Sequence, residues 1–331
     1  MPRATVNDVL VPKQFKQLNP SSLSSTSFAF LVGRRGTGKT VMMKDLAYNF
    51  YINKCKNGEK IDSALVFSPT EGMQKVFEKF VPKAFIYHTY REDLVAQLME
   101  TQKQLIEKNG HTATVLLFID DCAYNKKFFT SETFRELAMN GRHCKIFVLC
   151  AVQYCMDIHV SIRTNFDCVF IMKDNSSANL KRYHTQFFSQ FSDFRQFTKT
   201  FHRLTSNYGA MVSLVSTNST NLQETVFWYR AKPKEVPERF PIGRSIFWKM
   251  QKFCPKNPFA SGKPESIIML DQHGNKHKSQ VTDSHGQTRS HEDSRSCSGR
   301  SKDERPSRGT TEDTRTRHNN QSELAPVLEF E

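Results

Sequence analysis

The sequence predicts an α/β fold in which a mainly parallel sheet is covered by helices on both faces. Three observations carry the prediction. Continuous apolar runs of strand length recur along the chain, as strands buried on both faces require. Segments with helical spacing separate them, the alternation that builds a parallel sheet. The first apolar run, Phe28-Ala29-Phe30-Leu31-Val32, stops at a glycine-rich turn ending in Gly38-Lys39-Thr40.

The elements follow in order. Phe28–Val32 reads as a buried strand, and Val41, Leu46 and Phe50 mark a helix that ends near Gly58. Ser63–Phe67 is the next strand, closed by Ser68-Pro69, with a short helix around Gln74–Phe80 and a brief strand over Ala84–Tyr87. Arg91–Lys108 is an amphipathic helix with Leu94, Leu98, Leu105 and Ile106 on one side and Asn109-Gly110 as its stop. Thr114–Ile119 is the clearest buried strand. A helix over Ser131–Asn140 and strands over Lys145–Cys150 and Asp167–Met172 come next. Residues 178–204 read as helical and carry Phe187, Phe188, Phe191, Phe194, Phe197 and Phe201. Met211–Val215 and Val226–Tyr229 look like a strand pair, and a basic helix lies near Arg244–Phe253. No internal repeat is evident.

Composition sets the organisation. The 331 residues, 38% hydrophobic and 24% charged, suffice for one large domain or two small ones. Residues 1–26 are a polar lead-in, 27–260 the α/β domain, and 261–331 a polar tail. Within the domain, 27–175 is the core and 176–260 a helical and strand-pair extension. From Asp271 onward the only aromatic is Phe330, and 10 Lys+Arg face 11 Asp+Glu. Such a stretch buries too little apolar surface to offset chain entropy and is expected to be disordered. The chain carries +14, so residues 1–270 carry about +15. A folded domain that basic points to a polyanionic partner, nucleic acid being the commonest, with a merely solvated surface as the alternative. The eight cysteines show no CxxC pair and no metal-ligand spacing with His, which suits reduced thiols in a cytosolic or nuclear compartment. Without an apolar leader or a run of eighteen apolar residues, export and membrane spanning are not expected.

The turn Gly33-Arg34-Arg35-Gly36-Thr37-Gly38-Lys39-Thr40 has the spacing of a phosphate-binding loop. Glycines let backbone N–H groups point inward at phosphate oxygens; Lys39 supplies charge to the β- and γ-phosphates, and the Thr40 hydroxyl binds Mg²⁺. The helix that begins at Thr40 adds its positive end. ATP and Mg²⁺ are therefore the expected ligands; the competing reading is a glycine turn with an incidental lysine. About eighty residues downstream, Leu116-Leu117-Phe118-Ile119-Asp120-Asp121 is an apolar strand ending in two carboxylates. Asp120 is expected to support the metal and Asp121 to polarise the attacking water, unless Asp121 is a helix cap or surface turn. After the strand Lys145–Cys150, Gln153 is placed to touch both water and γ-phosphate. Arg142 and Arg163 precede two strands; either could reach a neighbouring subunit's γ-phosphate, where such a finger contributes roughly 10³-fold or more in rate. A phosphate-backbone contact or a surface ion pair is the other reading of each. The Phe-rich helices are read as core or subunit interface, and His143 as structural.

These residues resemble a known group. Gly-x-x-x-x-Gly-Lys-Thr, then Phe-Ile-Asp-Asp-Cys, then Gly-Arg-His before Ile-Phe-Val with a Gln at strand end, are similar to the genome-packaging ATPases of large eukaryotic DNA viruses. That group includes the poxvirus-type packaging ATPases and lies within the FtsK–HerA superfamily. Ile162–Asp167 and Phe227–Lys232 are similar to its late motifs, so the resemblance spans about Phe28 to Lys232. It implies a RecA-like P-loop NTPase core that assembles into a homo-oligomeric ring, hydrolyses ATP between subunits and drives double-stranded DNA into a preformed capsid. By position, it assigns Lys39 and Thr40 to phosphate and Mg²⁺, Asp120 to the metal, Asp121 to catalysis and Gln153 to sensing the γ-phosphate. It also implies an intracellular site in the host (viral factory, cytoplasm or nucleus) or association with the virion. Asp121 departs from the Glu that many related motors carry. The tail matches no motif; Leu324–Phe330 is a candidate docking peptide for capsid or packaging proteins.

Three other functions compete with a packaging translocase. A P-loop kinase would need an arginine-rich lid, and none is evident. A related DNA pump of a mobile element or chromosome-processing system shares the same chemistry. An ATP-gated DNA-binding protein that does not translocate is the last.

Overall fold

The computed structural model describes residues 15–59, 61–122, 126–154, 158–217, 219–251, 267–270 and 276–279. Residues 1–14 of the lead-in, and most of the tail with its candidate docking peptide, lie outside the described residues. In chain order the elements are β1 (Phe28–Val32), α1 (Lys39–Lys56), β2 (Ile61–Phe67), α2 (Glu71–Gln74), β3 (Ile86–Tyr87), α3 (Glu92–Asn109), β4 (Thr114–Asp120), α4 (Glu132–Asn140) and β5 (Ile146–Val152). There follow α5 (Val160–Arg163), β6 (Cys168–Met172), α6 (Ser177–Phe187), α7 (Phe194–Leu204), β7 (Gly209–Leu214), α8 (Leu222–Thr225), β8 (Val226–Arg230) and α9 (Ser245–Met250).

Eight strands form one sheet in the order β3-β2-β4-β5-β1-β6-β7-β8. The first six in that order run parallel, and β7 and β8 continue the sheet antiparallel. The segment read as an extension thus shares the sheet of the nucleotide core. Every residue of β1, β4, β5 and β6 is buried, which is why these strands are apolar without alternation.

Successive side chains still alternate between faces. Phe30, Val32, Leu117, Ile119, Val148, Cys150, Val169 and Ile171 pack with Val95 and Met99 of α3, Phe134 and Leu137 of α4, Tyr183 of α6, and Phe197 and Phe201 of α7. Ala29, Leu31, Leu116, Phe118, Phe147, Leu149 and Phe170 turn to the other face, against Met42, Met43, Leu46 and Phe50 of α1 and the rings of Phe77, Phe80 and Phe240.

Local chemistry sets the helix ends. Ser131 accepts a hydrogen bond from Phe134 N, Ser176 from Asn179 N, and Asp193 from Arg195 N and Gln196 N, each satisfying otherwise orphaned donors of α4, α6 and α7. Helix α3 stops at Gly110, whose φ of +71° suits glycine.

Several expectations shift. The buried side of α3 is Val95, Met99 and Gln102, with Leu94 and Leu98 only partly packed. Gln102 is tolerated inside because it donates to Ala113 O and Cys144 O. The helix expected over Gln74–Phe80 is instead α2 plus a 3-10 turn at Phe77–Lys79, because Lys75 takes a left-handed conformation that ends α2. Residues 178–204 form two helices, broken at 188–193. Their phenylalanines are core, Phe194 being only partly buried. The lead-in is partly structural. Phe15 and Leu18 are buried, and Lys16 and Leu18 bond to the Trp228 backbone, covering the free edge of β8. Within the polar tail, Ile267–Leu270 (β9) and Lys276–Ser279 (β10) pair antiparallel.

Candidate nucleotide site

Parallel strands bring their carboxyl ends to one edge of the sheet, and ligands of open α/β sheets bind in the crevice beyond that edge. Reading the strand order β2-β4-β5-β1 along it gives Ser68, then Asp120 and Asp121, then Gln153, then Gly33. Strand β5 separates the loop strand β1 from the carboxylate strand β4, pairing Val32 with Val152 on one side and Asp120 with Ala151 on the other. Gly33 N donates to Val152 O and Asp121 N to Ala151 O, which ties both motifs to the end of β5.

The loop itself is held by its glycines. Gly36 and Gly38 have φ of +79° and +96°, accessible to glycine at no steric cost. A Cβ at Gly33 would lie 2.5 Å from Thr37 Oγ1 and 3.0 Å from Met172 Cβ. Thr37 Oγ1 donates to Arg34 O at 2.7 Å, closing the turn from inside. Lys39 is only 5% exposed; its Nζ donates to Gly33 O at 2.9 Å and lies 3.5 Å from Asp121 Oδ1. Its charge is thus held at the centre of the loop, where a phosphate would compete for it.

Asp120 is 1% exposed. Its Oδ2 accepts from Thr40 Oγ1 at 3.1 Å and Ser68 Oγ at 3.4 Å, while the buried Oδ1 has no hydrogen-bond partner. Burial, then the neighbouring Asp121 charge, push its carboxyl up to about 6 against the pull of Thr40, Lys39 and Ser68. An orphaned buried carboxylate oxygen beside a threonine hydroxyl fits Mg²⁺, which takes one or two protein oxygens and completes its shell with water and substrate phosphate. Asp121 sits in a left-handed conformation, φ +52°, uncommon away from glycine. Its carboxylate lies between Lys39 and Gln153. Gln153 is exposed, and its Nε2 is 3.5 Å from Asp121 Oδ2, the outer limit of a hydrogen bond.

Thus Lys39, Thr40, Asp120, Asp121 and Gln153 converge. Arg142 and Arg163 do not join them. They precede β5 and β6, at the sheet edge opposite the loop, roughly 20 Å away for a strand of this length. Within one protomer neither meets its own loop. Arg34 and Arg35 are exposed on an open cleft of about 590 Å³ shared with Thr37, Gln153, Tyr154 and Lys173. Ser68 and Lys173 escaped the sequence reading. Both stand just past strand ends, and only the strand order reveals which ends are neighbours.

No protein-family model matches the chain. An uncharacterized protein of Invertebrate iridescent virus 3 is 29% identical over 224 residues, covering 68% of this chain and 82% of its own. One of Acanthamoeba polyphaga mimivirus is 25% identical over 231 residues, covering 67% and 77%. Among solved structures, the genome packaging NTPase of Sulfolobus turreted icosahedral virus 2 with AMPPCP aligns over 63% of this chain and 100% of that one. The identity is 17% and the TM-score 0.44, a likeness too low to decide fold or activity. No helix among the described residues is long and apolar enough to cross a membrane. The chain is thus an α/β protein with a phosphate-loop sequence at the carboxyl edge of its sheet, similar to uncharacterized proteins of these viruses.

Proposed function

We propose that the chain is an ATP-driven translocase that moves double-stranded DNA into a viral capsid, working as a homo-oligomeric ring in the infected cell. The observation that carries the catalytic part is the convergence of Asp120, Asp121 and Gln153 on the phosphate loop, with the Gln153-bearing strand set between the other two. In this reading the loop amides and Lys39 hold the β- and γ-phosphates. Thr40 and Asp120 would hold Mg²⁺, which would neutralise charge developing on the phosphates. Asp121 accepts the proton of the attacking water, and Gln153 orients that water. The ion pair with Lys39 keeps Asp121 aimed at the loop until a phosphate takes over the lysine.

The DNA part rests on charge. Residues 1–270 carry about +15, and the exposed side of α7 presents Arg195, Lys199, His202 and Arg203 while Phe197 and Phe201 face the core. Phosphate binding through such a stripe is salt-dependent and insensitive to sequence. The far placement of Arg142 and Arg163 from their own loop is what a residue acting on a neighbour's nucleotide requires, and each is proposed as a finger in trans.

The test is steady-state ATP hydrolysis by the full chain, with and without duplex DNA at low salt, beside Lys39→Ala. Hydrolysis stimulated by DNA and abolished in the variant is expected; hydrolysis indifferent to DNA would exclude the translocase. Mixing Arg142→Ala or Arg163→Ala with wild type separates the arginines, since a trans finger lowers turnover in mixed rings more than in proportion to its share.

A further inference from the structure

Two large apolar side chains stand exposed at the mouth of the phosphate loop, and neither is used by the hydrolytic machinery. Tyr208 is 72% exposed, and its Cδ1 lies 3.5 Å from where a Cβ on Gly38 would stand. Val41 is 47% exposed. On the helical repeat it stands opposite Phe50, which is in the core. Gly38 caps α1, so Val41 rises three residues further along the same side of the first turn.

The backbone that presents Tyr208 is unusual. Asn207 and Tyr208 are consecutive left-handed residues, with φ of +51° and +59°. A bulky side chain rarely adopts that region, and such conformations gather where a ligand is clamped. The turn is built to hold it: Gly209 N donates to Ser206 O, Ser206 Oγ to Arg203 O, and Arg230 Nη2 to Ser206 O. A Cβ at Gly209 would collide with Leu204 O at 2.2 Å, so the chain must double back there in glycine.

We infer that Tyr208 and Val41 form the nucleobase subsite of the phosphate loop, with the Tyr208 ring stacking on a purine. The inference rests on the phosphate-loop reading above and extends it from the phosphates to the base. Both groups flank the point where α1 begins, so a nucleotide with its phosphates in the loop has its base beside them. A π-face accepts any base and favours larger ones. Stacking therefore selects purine over pyrimidine without separating adenine from guanine.

The test compares ligands that share phosphates and differ in the base. Binding of ADP, GDP, CDP and inorganic pyrophosphate, each with Mg²⁺, is measured by titration calorimetry on the full chain. Tyr208→Ala is expected to weaken ADP and GDP roughly 5- to 150-fold, the range for loss of one stacked base. CDP should lose less, and pyrophosphate should change less than about twofold. Tyr208→Phe should restore ADP binding. Val41→Ser, at a position exposed enough to spare the fold, should weaken ADP severalfold and not pyrophosphate. Equal loss of ADP and pyrophosphate in Tyr208→Ala would mean that the turn shapes the loop, and would overturn the proposal. So would unchanged ADP binding, or failure of phenylalanine to rescue. If wild type binds neither ADP nor pyrophosphate, the phosphate-loop reading itself fails and the base subsite falls with it.

Discussion

Asp120→Asn is expected to make the ligand-free protein more stable while disabling it. The carboxylate is buried, and burial together with Asp121 lifts its pKa from 3.8 to about 6. Such a lift corresponds to about 3 kcal/mol against the charged form in the fold. The sign follows from linkage. With the folded value above the unfolded one, the stability this group lends is complete below about pH 4 and is lost as pH rises through about 6. At pH 8 wild type therefore bears the whole penalty, whereas asparagine is neutral and keeps an oxygen for Thr40 Oγ1 and Ser68 Oγ. For a domain of this size about 3 kcal/mol is roughly 6–12 °C in Tm. At pH 5, between the two pKa values, about half of that difference should persist. The assay is thermal unfolding of both proteins in chelator at pH 8 and pH 5. Mg²⁺ with nucleotide should stabilise wild type and not the variant. A variant equal to or less stable than wild type at pH 8 would refute the burial argument, and a gap that does not change with pH would refute the assignment to this carboxylate.

Asp121→Asn should lower kcat by roughly 10²–10⁴-fold with nucleotide affinity nearly unchanged, because asparagine tolerates φ +52° but accepts no proton. Near-normal turnover would remove Asp121 as the base. Gly33→Ala should cost about 1–3 kcal/mol in denaturant unfolding, since its methyl meets Thr37 Oγ1 and Met172. It should also weaken pyrophosphate binding by about tenfold or more, a loss of roughly 1.4 kcal/mol or greater; normal binding would show that the loop can yield. Tyr229→Phe should destabilise by about 1.5–3 kcal/mol. The tyrosine hydroxyl donates to buried Asp45, which also accepts from Lys232 N at 2.9 Å. Burial and Asp45 push the Tyr229 hydroxyl far up, so its loss should be the same at pH 6 and pH 9.

Much of the site was legible because it is encoded locally. A phosphate loop needs glycines, a lysine and a hydroxyl at set spacing after a strand, and Gly33 to Thr40 supply them without reference to the rest of the chain. The apolar runs that became β1, β4, β5 and β6 were equally plain, because strands buried on both faces cannot afford polar residues. Where exposure depends on neighbours, local pattern misled. Leu94 and Leu98 have the spacing of core residues and are only partly packed, while polar Gln102 is buried because two carbonyls meet its amide. The lead-in looked like a linker because nothing in residues 15–18 announces that the edge of β8, over two hundred residues later, needs covering.

By itself the sequence determined the α/β class, the phosphate loop and the strand that ends in Asp120 and Asp121, since periodicity and spacing are short-range properties of a chain. Only the tertiary structure decided that β5 lies between the loop and the carboxylates and that Ser68 flanks them. It also decided that Arg142 and Arg163 stand at the far edge and that Tyr208 reaches Gly38. Strand order arises from how whole faces bury one another, and no window of residues records it.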